Sequence, residues 1–160
     1  MNILKVGLIA LDIVNVACEM GAVVYYNNQN HHVRGKAQKI FERLYTIVGV
    51  ANAIFAVNYL AQVIIFHFTK RAIRILPLSV MSTVPLVILG MRLSVTVAGY
   101  MAVRNHRTHK TTLYSTMSNS LAATRMAFSV FGFNQRGVDI ICNMSLVGEL
   151  AYRILFHVAK

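Results

Sequence analysis

The chain has 160 residues, of which 56% are hydrophobic and only 13% are charged, whereas an average soluble domain is about 25% charged. Its net charge is nevertheless +11, and its mean hydropathy is +0.56. This composition excludes an ordinary soluble domain built around one core, and it favours an integral membrane protein. The basic residues lie in short clusters between apolar stretches and not on one folded face, so no nucleic-acid partner is expected.

Four segments are long and apolar enough to suggest membrane-spanning helices, which need about 20 mainly apolar residues. The sequence therefore predicts an all-α membrane protein with about four transmembrane helices, forming one integral membrane domain over residues 1–160. The predicted spans, in chain order, are 6–26, 44–68, 78–103 and 138–159.

A fifth segment, 113–133, lies between the third and fourth predicted spans and is less apolar. It contains Asn119 and Arg125. We predict an amphipathic helix that lies in the membrane interface or packs on a partner. A fifth span at this position stays open as an alternative.

The connections between these segments are basic. Lys and Arg near an anionic membrane surface each contribute roughly 1 kcal/mol to binding. The sequence therefore predicts contacts with anionic lipid headgroups, and a structural phospholipid similar to cardiolipin is a candidate ligand. With four spans both sides of the membrane are basic, so the distribution of Lys and Arg does not decide the orientation. The predicted headgroup contacts are Arg34, Lys36, Lys39, Lys70, Arg71, Arg74, Arg104, Arg107 and Lys110.

Four of the five acidic residues, Asp12, Glu19, Asp139 and Glu149, lie within or at the edge of predicted spans. A charged side chain at the centre of a bilayer costs at least ~2.5–3.5 kcal/mol, so each of these acids needs a partner. At about 100° per residue, Asp12, Asn15 and Glu19 fall on one face of the first helix. That face is predicted to contact other helices and not lipid.

Basic partners for these acids lie in the third and fourth predicted spans. Arg92 has no acid on its own helix, and its predicted partner is Asp12 or Glu19. Glu149 and Arg153 have the i,i+4 order that favours an ion pair along one helix. The predicted intramembrane polar residues are Asp12, Asn15, Glu19, Asn52, Asn58, Gln62, Arg92, Asp139, Glu149 and Arg153.

Residues 90–100, "GMRLSVTVAGY", resemble the arginine-bearing helix of the ATP synthase a subunit, in which an Arg-Leu precedes an Ala-Gly. The resemblance implies that Arg92 occupies the position of the proton-path arginine. The spacing from Arg92 to Gly99 is one residue shorter than in that family, and the Asn that follows the family's Arg is absent.

No motif points to catalysis. The chain has no Gly-rich phosphate loop, no GxSxG turn and no set of metal ligands, so neither an enzyme nor a cofactor is expected. The leading hypothesis is an accessory, scaffold-type subunit of a large membrane complex, in particular a respiratory or ATP synthase assembly of the mitochondrial inner membrane. Its partners would be other membrane subunits and anionic lipids.

Two alternatives stay open. One is a proton- or ion-conducting subunit that uses Arg92 with Asp12, Glu19 and Glu149. The other is a stand-alone, multi-spanning membrane adaptor, which would be found outside any large complex.

Overall fold

The computed structural model describes residues 3–29, 35–104, 110–131 and 136–160, of which 92% are helical and none is in a strand. The described part of the chain is thus all-α, as predicted. Its five helices are α1 (Ile3–Asn28), α2 (Lys36–Thr69), α3 (Leu78–Arg104), α4 (Lys110–Val130) and α5 (Arg136–Ala159).

The helices form a closed ring. Each helix packs against the next one along the chain, and α5 returns to pack against α1. Consecutive helices are antiparallel, whereas α1 and α5 are parallel: Asn15 contacts Glu149, and Cys18 contacts His157 further along both helices. The ring encloses one interior to which all five helices contribute side chains.

The helix α4 corresponds to the predicted segment 113–133, whose last two residues lie outside the described part. In the structure α4 lies in the ring between α3 and α5. Small side chains make this possible, since they let α4 approach both neighbours closely. Its buried residues are Thr111, Thr112, Ser115, Thr116, Ser118, Asn119, Ala122 and Ala123.

Among the described residues, three helices, α1, α2 and α3, are long and apolar enough to cross a membrane. This is fewer than the four spans predicted from the sequence. The predicted span 138–159 lies in α5, which carries Asp139, Glu149 and Arg153. These charges lower the mean hydropathy of α5, so composition alone does not identify it as a membrane-spanning helix.

The ring is well packed at one end and loosely packed at the other. We call the two ends the closed half and the open half. In the open half no described residue is fully buried, although the inward-facing ones are half-buried. The closed half comprises 15–28, 36–49, 88–104, 110–123 and 145–159; the open half comprises 3–14, 50–69, 78–87, 124–130 and 137–144.

Aromatic rings fill the closed half. Tyr26 of α1 contacts Phe41, Tyr45 and Phe156, with ring centroids 5.4 to 5.7 Å apart in edge-on or tilted arrangements. All four rings are at most 2% exposed. Aromatic pairs of this geometry stabilise a core by about 0.5–1.5 kcal/mol beyond the burial of their area. This aromatic core joins α1, α2 and α5 at the end where α1 terminates.

Candidate functional site

Arg92 and Glu19 form a bidentate ion pair at the centre of the ring. Arg92 Nη1 lies 3.0 Å from Glu19 Oε1, and Arg92 Nη2 lies 3.2 Å from Glu19 Oε2. Both residues are 1% exposed. Two parallel N–H···O bonds fix the guanidinium and the carboxylate in one plane, which is the strong geometry for such a pair. The pair joins α1 to α3.

Arg153 of α5 links Glu19 to a second buried carboxylate. Its Nη2 atom lies 3.2 Å from Glu19 Oε1 and 2.7 Å from Glu149 Oε1. The Nδ2 group of Asn15 donates to the same Glu149 oxygen at 2.7 Å. Glu149 and Arg153 are therefore paired one helical turn apart, and they share their contacts with α1.

A third arginine extends these contacts towards the open half. Arg125 of α4 places Nη2 3.2 Å from Glu149 Oε2 and Nη1 2.8 Å from Asp12 Oδ1. The side chain of Arg125 is 29% exposed and that of Asp12 is 49% exposed. We call Asp12, Glu19, Arg92, Arg125, Glu149 and Arg153 the ion-pair cluster; with all six groups ionised, its net charge is zero.

Two amides complete the coordination of the cluster. Asn52 of α2 donates to Glu19 Oε2 at 2.8 Å. Asn119 of α4 accepts from Arg92 Nη1 at 2.9 Å, and it donates to the Arg92 carbonyl at 2.7 Å and to Thr96 Oγ1 at 2.9 Å. The cluster and its amides thus tie all five helices to one another through polar contacts.

Asn119→Ala should lower the free energy of unfolding by about 1–3 kcal/mol, because it removes hydrogen bonds to a buried guanidinium. Thermal unfolding of the detergent-solubilised protein, followed by far-UV circular dichroism, measures the effect. Asn143→Ala, at an exposed position of α5, is the matched control and should change the midpoint little. Equal midpoints for the two variants would contradict the role assigned to Asn119.

Seven of the ten predicted polar residues lie in this one network. Of the two partners considered for Arg92, the structure has Glu19, while Asp12 pairs with Arg125. Asp139 lies outside this network and is exposed near the start of α5. The seven residues are Asp12, Asn15, Glu19, Asn52, Arg92, Glu149 and Arg153.

Asn58 and Gln62 lie apart from the cluster, in the open half. Their amide nitrogens lie 3.8 and 3.9 Å from the sulfur of Met81, which is a weak acceptor. Both side chains are half-buried. These two amides therefore have poorer partners than Asn52 and Asn119.

Arg125 and Asn119 belong to the site although the predicted set omits them. The low hydropathy of 113–133 predicts an interfacial helix, which places both residues outside that set. A signal was present in the sequence: Asn119, Ala122 and Ala123 share a face of small side chains that suits close packing between helices.

The described members of the predicted headgroup-binding set lie at the two ends of the bundle, away from the cluster. Arg34 and Arg107 are outside the described residues. Lys39 is half-buried, and the others are exposed at helix ends or in the connection from α2 to α3. The exposed ones are Lys36, Lys70, Arg71, Arg74, Arg104 and Lys110.

The cluster provides carboxylates held by guanidinium groups, which suits fixed pairing or proton exchange better than bond-making chemistry. Within the described ranges no group of three or more His, Cys, Asp or Glu side chains has the arrangement of a metal site. No protein-family model, no curated protein and no solved structure matches this chain.

Proposed function

We propose that all five helices lie in a membrane, including α4 and α5. The support comes from the central part of α5, where the charges of Glu149 and Arg153 point inward while the outer face is apolar. Glu149 and Arg153 are 0% and 2% exposed, whereas Met144, Val147 and Val158 are 70%, 60% and 78% exposed. A helix of a water-soluble bundle has the reverse arrangement. An apolar outer face is stable in contact with lipid. The mean hydropathy of α5 includes its inward-facing charges, so it understates how well α5 fits a membrane.

Within that setting, we propose that the protein is a structural subunit of a larger membrane complex. The observation that carries this proposal is the neutrality of the ion-pair cluster. Each of its three arginines lies within 3.2 Å of a carboxylate, so the cluster fixes the ring of helices and leaves no charge for a cargo. Its role is then to present rigid apolar helix faces to neighbouring subunits.

The basic ends of the bundle support a membrane rich in anionic lipid, since exposed Lys and Arg there gain from negatively charged headgroups. We propose the mitochondrial inner membrane and one of its energy-transducing complexes as the setting. Cardiolipin-like lipid would contact both ends, because basic residues occupy each of them.

Asn58 and Gln62 are the proposed contact with a neighbouring subunit. Within the described part of the chain these amides donate to the sulfur of Met81, a weak acceptor, so an acceptor on a helix of another subunit would be a better partner. Asn58→Leu together with Gln62→Leu should weaken the association by about 1–2 kcal/mol. The fraction of chain that remains in the large particle after detergent extraction measures the loss. The same pair of changes should leave the midpoint of thermal unfolding nearly unaltered, which distinguishes docking from folding.

Gentle extraction from native membranes, followed by native-gel sizing and mass spectrometry of the band, tests the proposal. A particle many times the mass of the 17.8 kDa chain, with reproducible partner subunits, is the expected result. A chain that runs alone or as a small homo-oligomer contradicts the structural-subunit proposal and favours the stand-alone adaptor.

Proton or ion transfer is the second candidate function. It is favoured by the continuous contact from half-exposed Asp12 through Arg125, Glu149 and Arg153 to buried Glu19. Ionisable groups inside a membrane commonly mark such paths. If the path exists, Arg92→Gln should abolish proton flux in reconstituted vesicles while leaving assembly intact. If the cluster is structural, the same variant should impair assembly.

A further inference from the structure

The ion-pair cluster divides the interior of the bundle into two unlike parts. On one side the aromatic core of the closed half leaves Tyr26, Phe41, Tyr45 and Phe156 at most 2% exposed. On the other side the inward faces of the open half are only half-buried. Leu8 and Cys142 illustrate this partial exposure, since both are only half-buried. Leu8 lies two turns before buried Asn15 in α1, and Cys142 lies two turns before buried Glu149 in α5. Solvent can therefore reach the outer members of the cluster, Asp12 and Arg125, from the open half, whereas the aromatic core blocks the closed half.

Polar groups continue from the open half into the cluster. Asp12 and Arg125, with side chains 49% and 29% exposed, lie where the two halves meet. Deeper in, and among the described residues, several buried polar atoms have no protein partner: Arg125 Nε, Arg153 Nε, Arg153 Nη1 and Asn15 Oδ1. These atoms are out of reach of solvent in this structure, and a buried polar group without a partner costs about 1–3 kcal/mol.

We propose that the open half is a water-filled vestibule, entered from the membrane face at which α1 begins, and that it ends at the Asp12–Arg125 pair, next to the fully buried Glu19 and Arg153. Lipid chains would suit the apolar part of its lining, but they would leave the partly exposed Asp12–Arg125 pair without hydration. Water is thus the ligand that this pair selects. Protons from this one face then reach Asp12.

The vestibule rests on the membrane setting proposed above, and native Cys142 allows a direct test. Its sulfur lies 3.8 Å from the carbonyl oxygen of Arg125, beside the proposed vestibule. The full-length protein with Cys18→Ala is reconstituted in lipid vesicles and treated on each face with a cationic, membrane-impermeant methanethiosulfonate. Thr69→Cys, at the end of α2, identifies the face at which α1 begins.

Cys142 should react from the face that labels Thr69→Cys, and at least about tenfold faster than Met144→Cys on the outer surface of α5, because thiolates form in water and not in hydrocarbon. The 3%-exposed position of Ala22→Cys, in the closed half, should react from neither face. Met144→Cys and Ala22→Cys are both measured in a background that also carries Cys142→Ala.

Two results would overturn the vestibule. In one, Cys142 is as slow as Met144→Cys from both faces; in the other, it reacts equally from both faces. Rapid labelling of Met144→Cys would instead show that α5 faces water, which contradicts the proposed membrane setting itself. The failure of the vestibule and the failure of the setting are therefore distinguishable in one experiment.

Discussion

Glu19→Gln should destabilise the protein by about 3–5 kcal/mol, the usual loss when one partner of a buried ion pair is removed. Glu19 accepts from Arg92 through both of its oxygens and also contacts Arg153. The substitution keeps the shape of the side chain but leaves the cluster with an excess positive charge that water does not fully reach. A large fall in the thermal unfolding midpoint of the detergent-solubilised protein is the expected result.

Asp139→Asn is the matched control, because it also neutralises an acid but at an exposed position. It should alter stability by less than about 0.5 kcal/mol. The double variant Glu19→Gln with Arg92→Gln should lose less than the sum of the two single losses, since residues in direct contact are coupled. Additive losses, or a Glu19→Gln effect as small as that of Asp139→Asn, would show that the pair does not hold the ring together.

Gly99→Leu is the second substitution with a large expected effect, at about 3 kcal/mol, near the top of the range for overpacking. A Cβ atom at position 99 would collide with Thr116 Oγ1 and lie 3.0 Å from the ring of Phe41. Thr116 cannot turn away freely, because its hydroxyl donates to the Thr112 carbonyl at 2.7 Å. The larger side chain must therefore separate α3 from α4.

Gly90→Leu provides the control on the same helix. A Cβ atom at position 90 has nothing within 4 Å, and the residue is exposed. Gly90→Leu should therefore preserve stability or raise it slightly, since Leu has the higher helix propensity. Comparable losses at positions 90 and 99, measured by the same thermal unfolding assay, would contradict the close approach of α3 and α4.

The sequence was sufficient to predict α1, α2 and α3, because each is a long apolar stretch whose identity depends on composition alone. It was also sufficient to recognise that Glu19 and Arg92 require partners, since an isolated charge in hydrocarbon is too costly. The choice between Asp12 and Glu19 could not be made, because it depends on how far α1 and α3 slide and rotate relative to each other. A shift of about two turns along α1 exchanges the two acids.

The ring position of α4 was harder to predict, and the reason is physical. Hydropathy treats every side chain as if it faced lipid, whereas the polar residues of α4 face the interior of the ring. The charge of Arg125 favours a surface helix for the same reason, although Arg125 pairs with Asp12 and Glu149. In a bundle whose polar side chains face the interior, a polar helix indicates interior contacts as much as contact with water.

We propose that α5 faces lipid, because Glu149 and Arg153 lie inside the bundle and its outer side chains are apolar. Nitroxide labels on α5, at cysteines introduced in place of Met144, Val147, Ala151, Ile154 and Val158 in a background without native cysteines, test it most directly. All five positions are exposed in the structure. In reconstituted vesicles, collisions with molecular oxygen should exceed collisions with a water-soluble nickel complex at the central positions 147 and 151. If collisions with the nickel complex dominate at these two positions, the outer face of α5 lies in water, and the proposed contact of α5 with lipid is wrong.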